Sequence, residues 1–519
     1  MAKIVSAAYA ASCIPDGANV AVGGFCGFGS PDEVLAAIRE RFEKEGKPAN
    51  ITVLKGVSVG DHGVRGCNRL AAKGLVGRII SGHVGLEPEM AKLVSEGGCL
   101  AYMLPLGTLT ELFRAAASRS PGVLTTCGMD TFVDPRIEGG KANQRTKDTG
   151  PDLAQLMELG NRQCLFYPTI PIHACVVRGT YADEDGNISM AKEALFADQF
   201  EAAAAAHNSG GIVIVQVEDI VKRGTIPPAE VKLHHFMVDY VVKARPENHT
   251  QGFDSPDYRP ELTGAIRKPT DALAPMPLSE RKICGRRALM ELKSGALINL
   301  GIGMPDAVAA AAAEEGLAGE FTLSIESGVL GGVPLGGLGL GASVNPEAMY
   351  KMADILNIYD GGGLDATVLG LAEIDCEGNV NVSRFGGSVT GPGGFIDISQ
   401  NTKKVIFIGT FTAGGLKVAC EDGRLRILSE GRNRKFRQQV EQITFSAKYA
   451  RRHDQQVLVV TERAVFRLTN DGLLLTELAP GVDLERDVLA HMDFRPCISS
   501  DLRSMDPRIF RSEAMGLTL

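Results

Sequence analysis

The sequence predicts an α/β protein made of two related open α/β domains fused in one chain. Three features of its 519 residues carry that expectation. Short β-branched runs alternate with alanine-rich helical stretches, the pattern of mainly parallel sheets. A strand–glycine-turn–helix segment occurs twice. A proline-rich stretch separates the two occurrences.

The strands come first. "NVAVGGF", "NITVL", "GGIVIVQV", "ALINLGIG", "FTLSI", "KKVIFIGTF" and "QVLVVTE" are short apolar runs of the kind buried on both faces of a sheet. "SPDEVLAAIRERFEKEG" and "MPDAVAAAAAEEG" open on Pro-Asp and close at Gly, which are helix start and stop signals. The repeat joins both kinds of element. "GANVAVGGFCGFGSPDEVLAAI" (17–38) resembles "GALINLGIGMPDAVAAAA" (295–312), and "YADEDGNISM" (181–190) resembles "EIDCEGNVNVS" (373–383). The second pair places an acidic-Gly-Asn turn between apolar strands, a hairpin signal. Two matched features in the same order imply duplication of one unit, with an insertion in the first copy. Residues 245–278 hold six prolines and little periodicity, and are expected to cross the surface as a linker. The domains are therefore 1–275, linker included, and 276–519.

Composition removes several classes of function. A net charge of −8 lacks the basic footprint of broad nucleic-acid binding. Eleven cysteines, with no C-x-x-C pair, suggest reduced thiols in a cytoplasmic chain rather than a disulfide frame. The nine histidines form no metal-ligating spacing, so no metal is expected. The opening "MAKIVSAAYAASC" fits an amphipathic first helix better than a signal peptide. No long apolar run is present, so no membrane span is expected.

The glycine turns "GGFCGFGSP" and "GIGMP" could bind an anion or oxyanion at a helix N-terminus, although tight strand–helix packing explains them equally. Neither matches a dinucleotide or P-loop fingerprint, and "GGLGLG" (336–341) spaces its glycines too closely for the first. "DEDGN" (183–187) lacks the later Glu of a calcium loop and is a hairpin turn. Cys26 has no histidine near it in sequence, and a small buried thiol is its plainer role. Glu326 is different. It sits alone in "SIESGVLGGVPLGGLGLGAS" (324–343), just after an apolar strand, at the sheet edge where α/β sites are built. The first-copy strand "NITVLKGVSVG" has no carboxylate there. An unpaired buried acid is expensive, so Glu326 is either tied to turn amides or is a working group.

These residues carry a resemblance. "DGANVAVGGFCGFGSP" (16–31) matches every specified position of D-G-x-x-three apolar-G-G-F-x-x-x-G-x-P, the N-terminal signature of the family I CoA-transferases. "IESGVLGGVPLGG", "TFVDPRIEGGKAN", "GNVNVSRFGGSVTGPGGFIDISQ", "GTFTAGGLKV" and "LAHMDFRP" resemble its single-chain propionate/acetate branch, across nearly the whole chain. The resemblance implies the family I fold, with two related α/β units. It implies coenzyme A as co-substrate, with no further cofactor. Its substrates would be acyl-CoA and small carboxylic acids, and its assembly a homo-oligomer (dimer or tetramer). Glu326 becomes the nucleophile. Asn381 becomes a side-chain oxyanion donor, Gly393 and Gly394 its backbone partners, and Gly24 and Phe25 part of the substrate turn. Gly414 and Gly415 line the pantetheine path, with Lys417 and Arg384, and also Lys403 and Lys404, near the CoA phosphates. The chain departs from many relatives at Ser327, where they carry Asn, and at Leu106, where they carry Gln.

The implied reaction moves CoA from a short-chain acyl-CoA (propionyl-, acetyl-, butyryl- or lactoyl-CoA) to a free carboxylate, through a glutamyl-CoA thioester. An acyl-CoA hydrolase on the same scaffold is the enzymatic alternative. A sugar-phosphate isomerase or ligand sensor of the same fold is the other, since fold alone does not fix function.

Overall fold

The structure is a computed structural model that describes residues 2–269 and 276–519. The chain divides into two compact units: 1–268 with 325–357 and 384–397, and 269–324 with 358–383 and 398–519. The sequence alone places one boundary at 275/276 and all later residues in the second domain. Two later segments instead belong to the first unit, and one of them holds Glu326.

The first unit is built on eight parallel strands: β1 (Lys3–Ile4), β2 (Asn19–Val22), β3 (Ile51–Lys55), β4 (Val76–Ser81), β5 (Leu100–Met103), β6 (Ala174–Arg178), β7 (Ile212–Val217) and β8 (Tyr240–Lys243). Their order is β1-β8-β7-β6-β2-β3-β4-β5. Both directions of growth start from β2, which makes its C-terminal edge the switch point of the sheet. β2, β3 and β6 are buried throughout, as apolar runs between two covering layers must be. Helix α1 (Asp32–Glu45) follows β2, has Asp32 and Glu33 in its first turn and ends at Gly46 with φ 69°. Helices α2 (Leu106–Ser118) and α3 (Gln199–Asn208) pack against each other in the same unit. The first residues are not one amphipathic helix: β1 precedes a short helix, Ala7–Ser12, capped by the Ser6 hydroxyl.

The second unit repeats the plan. β9 (Leu297–Leu300), β10 (Thr322–Ser324), β11 (Ala366–Gly370), β12 (Lys404–Ile408) and β13 (Gln456–Val460) run parallel in the order β10-β9-β11-β12-β13. β14 (Ala464–Thr469) and β15 (Gly472–Leu478) extend the sheet antiparallel, and β16 (Cys497–Ser504) joins β15 in parallel. Helix α4 (Asp306–Glu314) follows β9 as α1 follows β2.

Both expected hairpins form, and they share one internal device. Asp183 Oδ1 accepts from the amides of residues 185, 186 and 187, and Asn187 Nδ2 donates to Asp183 Oδ2 at 2.9 Å. Asp375 Oδ1 accepts from residues 377 and 379, and Asn379 Nδ2 donates to Asp375 Oδ2 at 3.1 Å. The same acid and amide four residues apart in both copies supports the duplication. The proline-rich stretch is not a plain linker. His249, Thr250 and Gln251 are buried, and Gly252 pairs with Phe28. Residues 270–275 lie outside the described residues. Among the described residues no helix is long and apolar enough to cross a membrane.

Candidate active site

Strand register shows where the two copies diverge. Asn19, Val20 and Ala21 of β2 pair with Thr52, Val53 and Leu54 of β3. Leu297, Ile298 and Asn299 of β9 pair with Thr322, Leu323 and Ser324 of β10. Superposing the repeated Gly-Ala pairs makes Asn19 equivalent to Leu297, so Thr52 matches Thr322 and Gly56 matches Glu326. The carboxylate of the second copy replaces a glycine of the first.

The end of β10 is fixed from within its own unit. Ser324 Oγ donates to the Ile298 carbonyl at 3.1 Å and accepts from the Tyr359 hydroxyl at 2.9 Å. Asn299 Nδ2 donates to the Ser324 carbonyl at 3.0 Å. The chain then makes a tight turn. Gly328 N–H donates to the Ile325 carbonyl at 2.9 Å, and Ile325 N–H to the Val329 carbonyl at 2.9 Å, with Glu326 and Ser327 at the corner. Gly328 has φ 104°, and a Cβ there would run into the Tyr350 carbonyl oxygen, so only glycine fits. Ser327, one of the departures from the resemblance, is buried and donates from Oγ to the Gly341 carbonyl at 2.6 Å.

Glu326 itself is half-buried. Its loop packs on the first-copy glycine turn. A Cβ on Gly341 would lie 2.6 Å from the Phe25 ring, and one on Gly27 would lie 2.5 Å from the Leu338 carbonyl oxygen. Phe25 and Phe28 exchange reciprocal backbone hydrogen bonds at 2.9 Å, which puts Cys26 at a corner with φ 52°. Burial pushes the Cys26 thiol well up, and the charge of Glu326 pushes it further. Cys26 is thus a neutral thiol within electrostatic reach of Glu326, a poor nucleophile beside a carboxylate.

Other predicted residues are placed unequally. Gly24, at φ 130°, and Phe25 stand in the turn that meets the Glu326 loop, but the Phe25 amide is spent on Phe28. Gly393 lies in the same unit, where its N–H donates to the Gly82 carbonyl at 2.7 Å. That corrects its expected role as an oxyanion donor. Gly394, buried beside it, is the other glycine of the pair. Arg384 is corrected too: its guanidinium bonds Glu138 at 2.9 Å and the Ala142 carbonyl at 3.2 Å, a structural clamp rather than an open phosphate contact. Lys403 and Lys404 pair with Asp365 and Glu291 at the N-terminal edge of their sheet. In the second unit, Asn381 is buried, gives one amide hydrogen to Glu373 at 2.8 Å, and accepts the Ser383 N–H at 3.1 Å. Gly414, Gly415 and Lys417 are exposed in that unit, the two glycines at φ 78° and 112°.

Sequence reasoning missed a buried ion pair behind the glycine turn. Lys55 ends β3 fully buried, and its Nζ donates to Glu87 at 2.8 Å, to the His83 carbonyl at 2.9 Å and to the Val57 carbonyl at 3.2 Å. Glu87 also accepts the Val59 N–H at 2.6 Å. The pair ties the 56–60 loop to the 82–87 loop, which in turn holds Thr390 through the Val84 N–H. A lysine closing the apolar run "NITVL" was the one visible signal.

Residues 4–244 match the Coenzyme A transferase family. The whole chain is 44% identical to caffeate CoA-transferase of Acetobacterium woodii, covering 99% of that protein. It is 40% identical to acetate CoA-transferase YdiF of Escherichia coli K12, over 99% of this chain and 96% of that one. The crystal structure of acyl-CoA transferase YdiF from Escherichia coli O157:H7, a thioester complex with CoA, superposes with a TM-score of 0.94 at 39% identity, covering 100% of this chain and 98% of that one.

Proposed function

Because the chain belongs to the coenzyme A transferase family and transfers CoA between an acyl-CoA and a carboxylate, we propose that it does so by double displacement at Glu326 on short-chain acyl-CoAs. The observation that carries this reading is the turn itself. A half-buried carboxylate stands on a corner fixed by Ser327 and Gly328, packed on a glycine turn, at the C-terminal end of a parallel strand.

The chemistry requires an acid of this reach. The Glu326 carboxylate attacks the thioester carbonyl and expels CoA as thiolate, leaving an acyl-glutamyl anhydride. The thiolate then attacks the glutamyl carbonyl and expels the acyl group as a carboxylate. Glu326 now carries CoA as a thioester, and the incoming acid runs the steps in reverse. Each intermediate stays activated, so the thioester's free energy is kept and the kinetics are ping-pong. Each step passes through an oxyanion, for which the Gly394 amide and the Asn381 side chain are the proposed donors; losing one such donor typically costs ~10²–10³ in rate. Gly414, Gly415 and Lys417 are proposed to line the CoA path.

Acetyl-, propionyl-, butyryl- and lactoyl-CoA are the proposed donors. The 44% identity to a protein named for caffeate favours a second reading, with aromatic acids as acceptors. A panel of acetate, butyrate, lactate and caffeate with propionyl-CoA as donor separates the two. New acyl-CoA should form with the aliphatic acids, and turnover with caffeate alone would overturn the short-chain reading. Stoichiometric thiol release without new acyl-CoA would point to hydrolysis. Glu326→Gln should lower turnover by at least ~10⁴-fold, since an amide cannot attack the thioester.

A further inference from the structure

Register makes Gly56 the counterpart of Glu326, and the space beside Gly56 is occupied in an informative way. A Cβ on Gly56 would lie 3.2 Å from Asp198 Oδ2, 2.9 Å from Leu106 Cδ1 and 3.0 Å from Met352 Cε. A carboxyl from another element therefore stands where a side chain at the glutamate's equivalent position would go. Asp198 is fully buried at the start of α3 and does not cap that helix. The amides of Gly24 and Gly56 face its carboxyl. Even so, neither oxygen has a partner at full hydrogen-bond geometry among the described residues.

The residue is also wired to the Glu326 loop. Ala197, just before it, is held at φ 46°, a strained backbone for a residue with a Cβ. The Ala197 carbonyl accepts the Met352 N–H at 3.1 Å. Two residues back, the Tyr350 N–H donates to the Gly328 carbonyl at 2.8 Å, on the turn that carries Glu326. On its other side Gly24, at φ 130° with contacts of 3.1–3.2 Å to a Cβ, leads into Phe25 and Cys26. Asp198 thus has the Gly24 turn on one side and, on the other, the segment hydrogen-bonded to the turn of Glu326.

We propose that Asp198 is a positioning residue of the transfer reaction: its carboxyl sets where the Gly24 and Gly56 amides stand, and through them the Phe25–Cys26 corner opposite Glu326. The inference rests on Glu326 as nucleophile. The groups facing Asp198 explain how it would act. Burial, with Glu201 one turn along α3, pushes its carboxyl up to about 7. Glu201 is itself bridged by Arg114 at 3.6 Å and Lys351 at 3.3 Å. Cys175 of β6 feels the Asp198 charge but is a neutral, buried thiol. A neutral acid spares the site its charge; once ionised, Asp198 adds a negative charge beneath a turn that must accept a carboxylate substrate and an anionic intermediate.

The test compares Asp198→Asn and Asp198→Leu with wild type, using propionyl-CoA and acetate from about pH 5.5 to about 9. Asn mimics the neutral acid in shape, so its kcat should stay within about threefold at neutral pH and lack the wild-type decline centred near pH 7. Leu should lower kcat roughly 30-fold while KM for the CoA ester moves less than about threefold, the mark of lost positioning. An Asn variant with the wild-type alkaline decline, or a Leu variant at wild-type kcat, would overturn the inference. If Leu does not fold, the Asn profile decides alone. Wild-type chain is run alongside for its CoA adduct. Absence of the adduct overturns the nucleophile reading and this inference with it, whereas adduct plus an unchanged Asn profile overturns only the latter.

Discussion

The loops after β3 and β10 occupy equivalent places in the two copies and solve the problem of a charge at a sheet edge in opposite ways. After β3 the charge is Lys55, fully buried and saturated by Glu87 and two carbonyls, with glycine at the next position. After β10 the residue equivalent to Lys55 is apolar Ile325, and the charge, Glu326, is only half-buried on a glycine-bounded corner. A saturated charge fixes loops; an accessible one can react. Under the proposed mechanism, duplication has yielded one copy that braces the site and one that supplies its nucleophile, and the Glu326 loop belongs to the first copy's unit.

Three changes would break or sharpen that contrast. The largest is Lys55→Met, which strands Glu87 as a buried unpaired acid and should cost about 3–5 kcal/mol of stability. The midpoint of urea unfolding measures it. Replacing Glu87 as well (Lys55→Met with Glu87→Leu) should recover most of the loss, and a double variant no more stable than the single one would contradict a bracing role. Next is Gly328→Ala, whose methyl meets the Tyr350 carbonyl. Because shifts near 1 Å can cost ~10² in rate, kcat should fall by about 10–100-fold while the fold persists by circular dichroism.

The smallest effect is a stability change that depends on pH. Asp198 has its carboxyl raised from 3.8 to about 7. Folding therefore disfavours its ionised form. The neutral form costs nothing below the unfolded value, and stability is lost as pH rises from there through about 7. Asp198→Asn should match wild type in thermal midpoint near pH 4 and exceed it near pH 8, by up to a few degrees in a chain of this size. An equal difference at both pH values would show that folding does not raise the Asp198 carboxyl.

Much of this was legible in the sequence. The alternation of runs, the repeated Gly-Ala strand and the paired acidic-Gly-Asn turns identify the duplicated α/β plan, because each is a local pattern with a local cause. Glu326 is visible as an acid isolated among glycines, and the resemblance of its own segment, 325–337, to the family implies a role for it. The rest was hidden by distance along the chain. Lys55 and Glu87 are 32 residues apart, and the Glu326 loop joins residues more than 300 positions away, at Phe25 and Gly27. Asp198 sits in "ALFADQF", which has no motif, and only the register of two sheets shows that it fills the place opposite Glu326's counterpart. Gly393 and Arg384 were misjudged for the same reason: a residue type cannot show that its N–H or guanidinium is already spent on a distant carbonyl or acid.

The most direct measurement is the mass of the chain after incubation with propionyl-CoA, followed by borohydride reduction and peptide mapping. The account predicts a CoA adduct that borohydride converts to a reduced side chain on the peptide holding Glu326, and none in Glu326→Gln. Turnover with no adduct at that peptide, or an adduct on Cys26 instead, would contradict it.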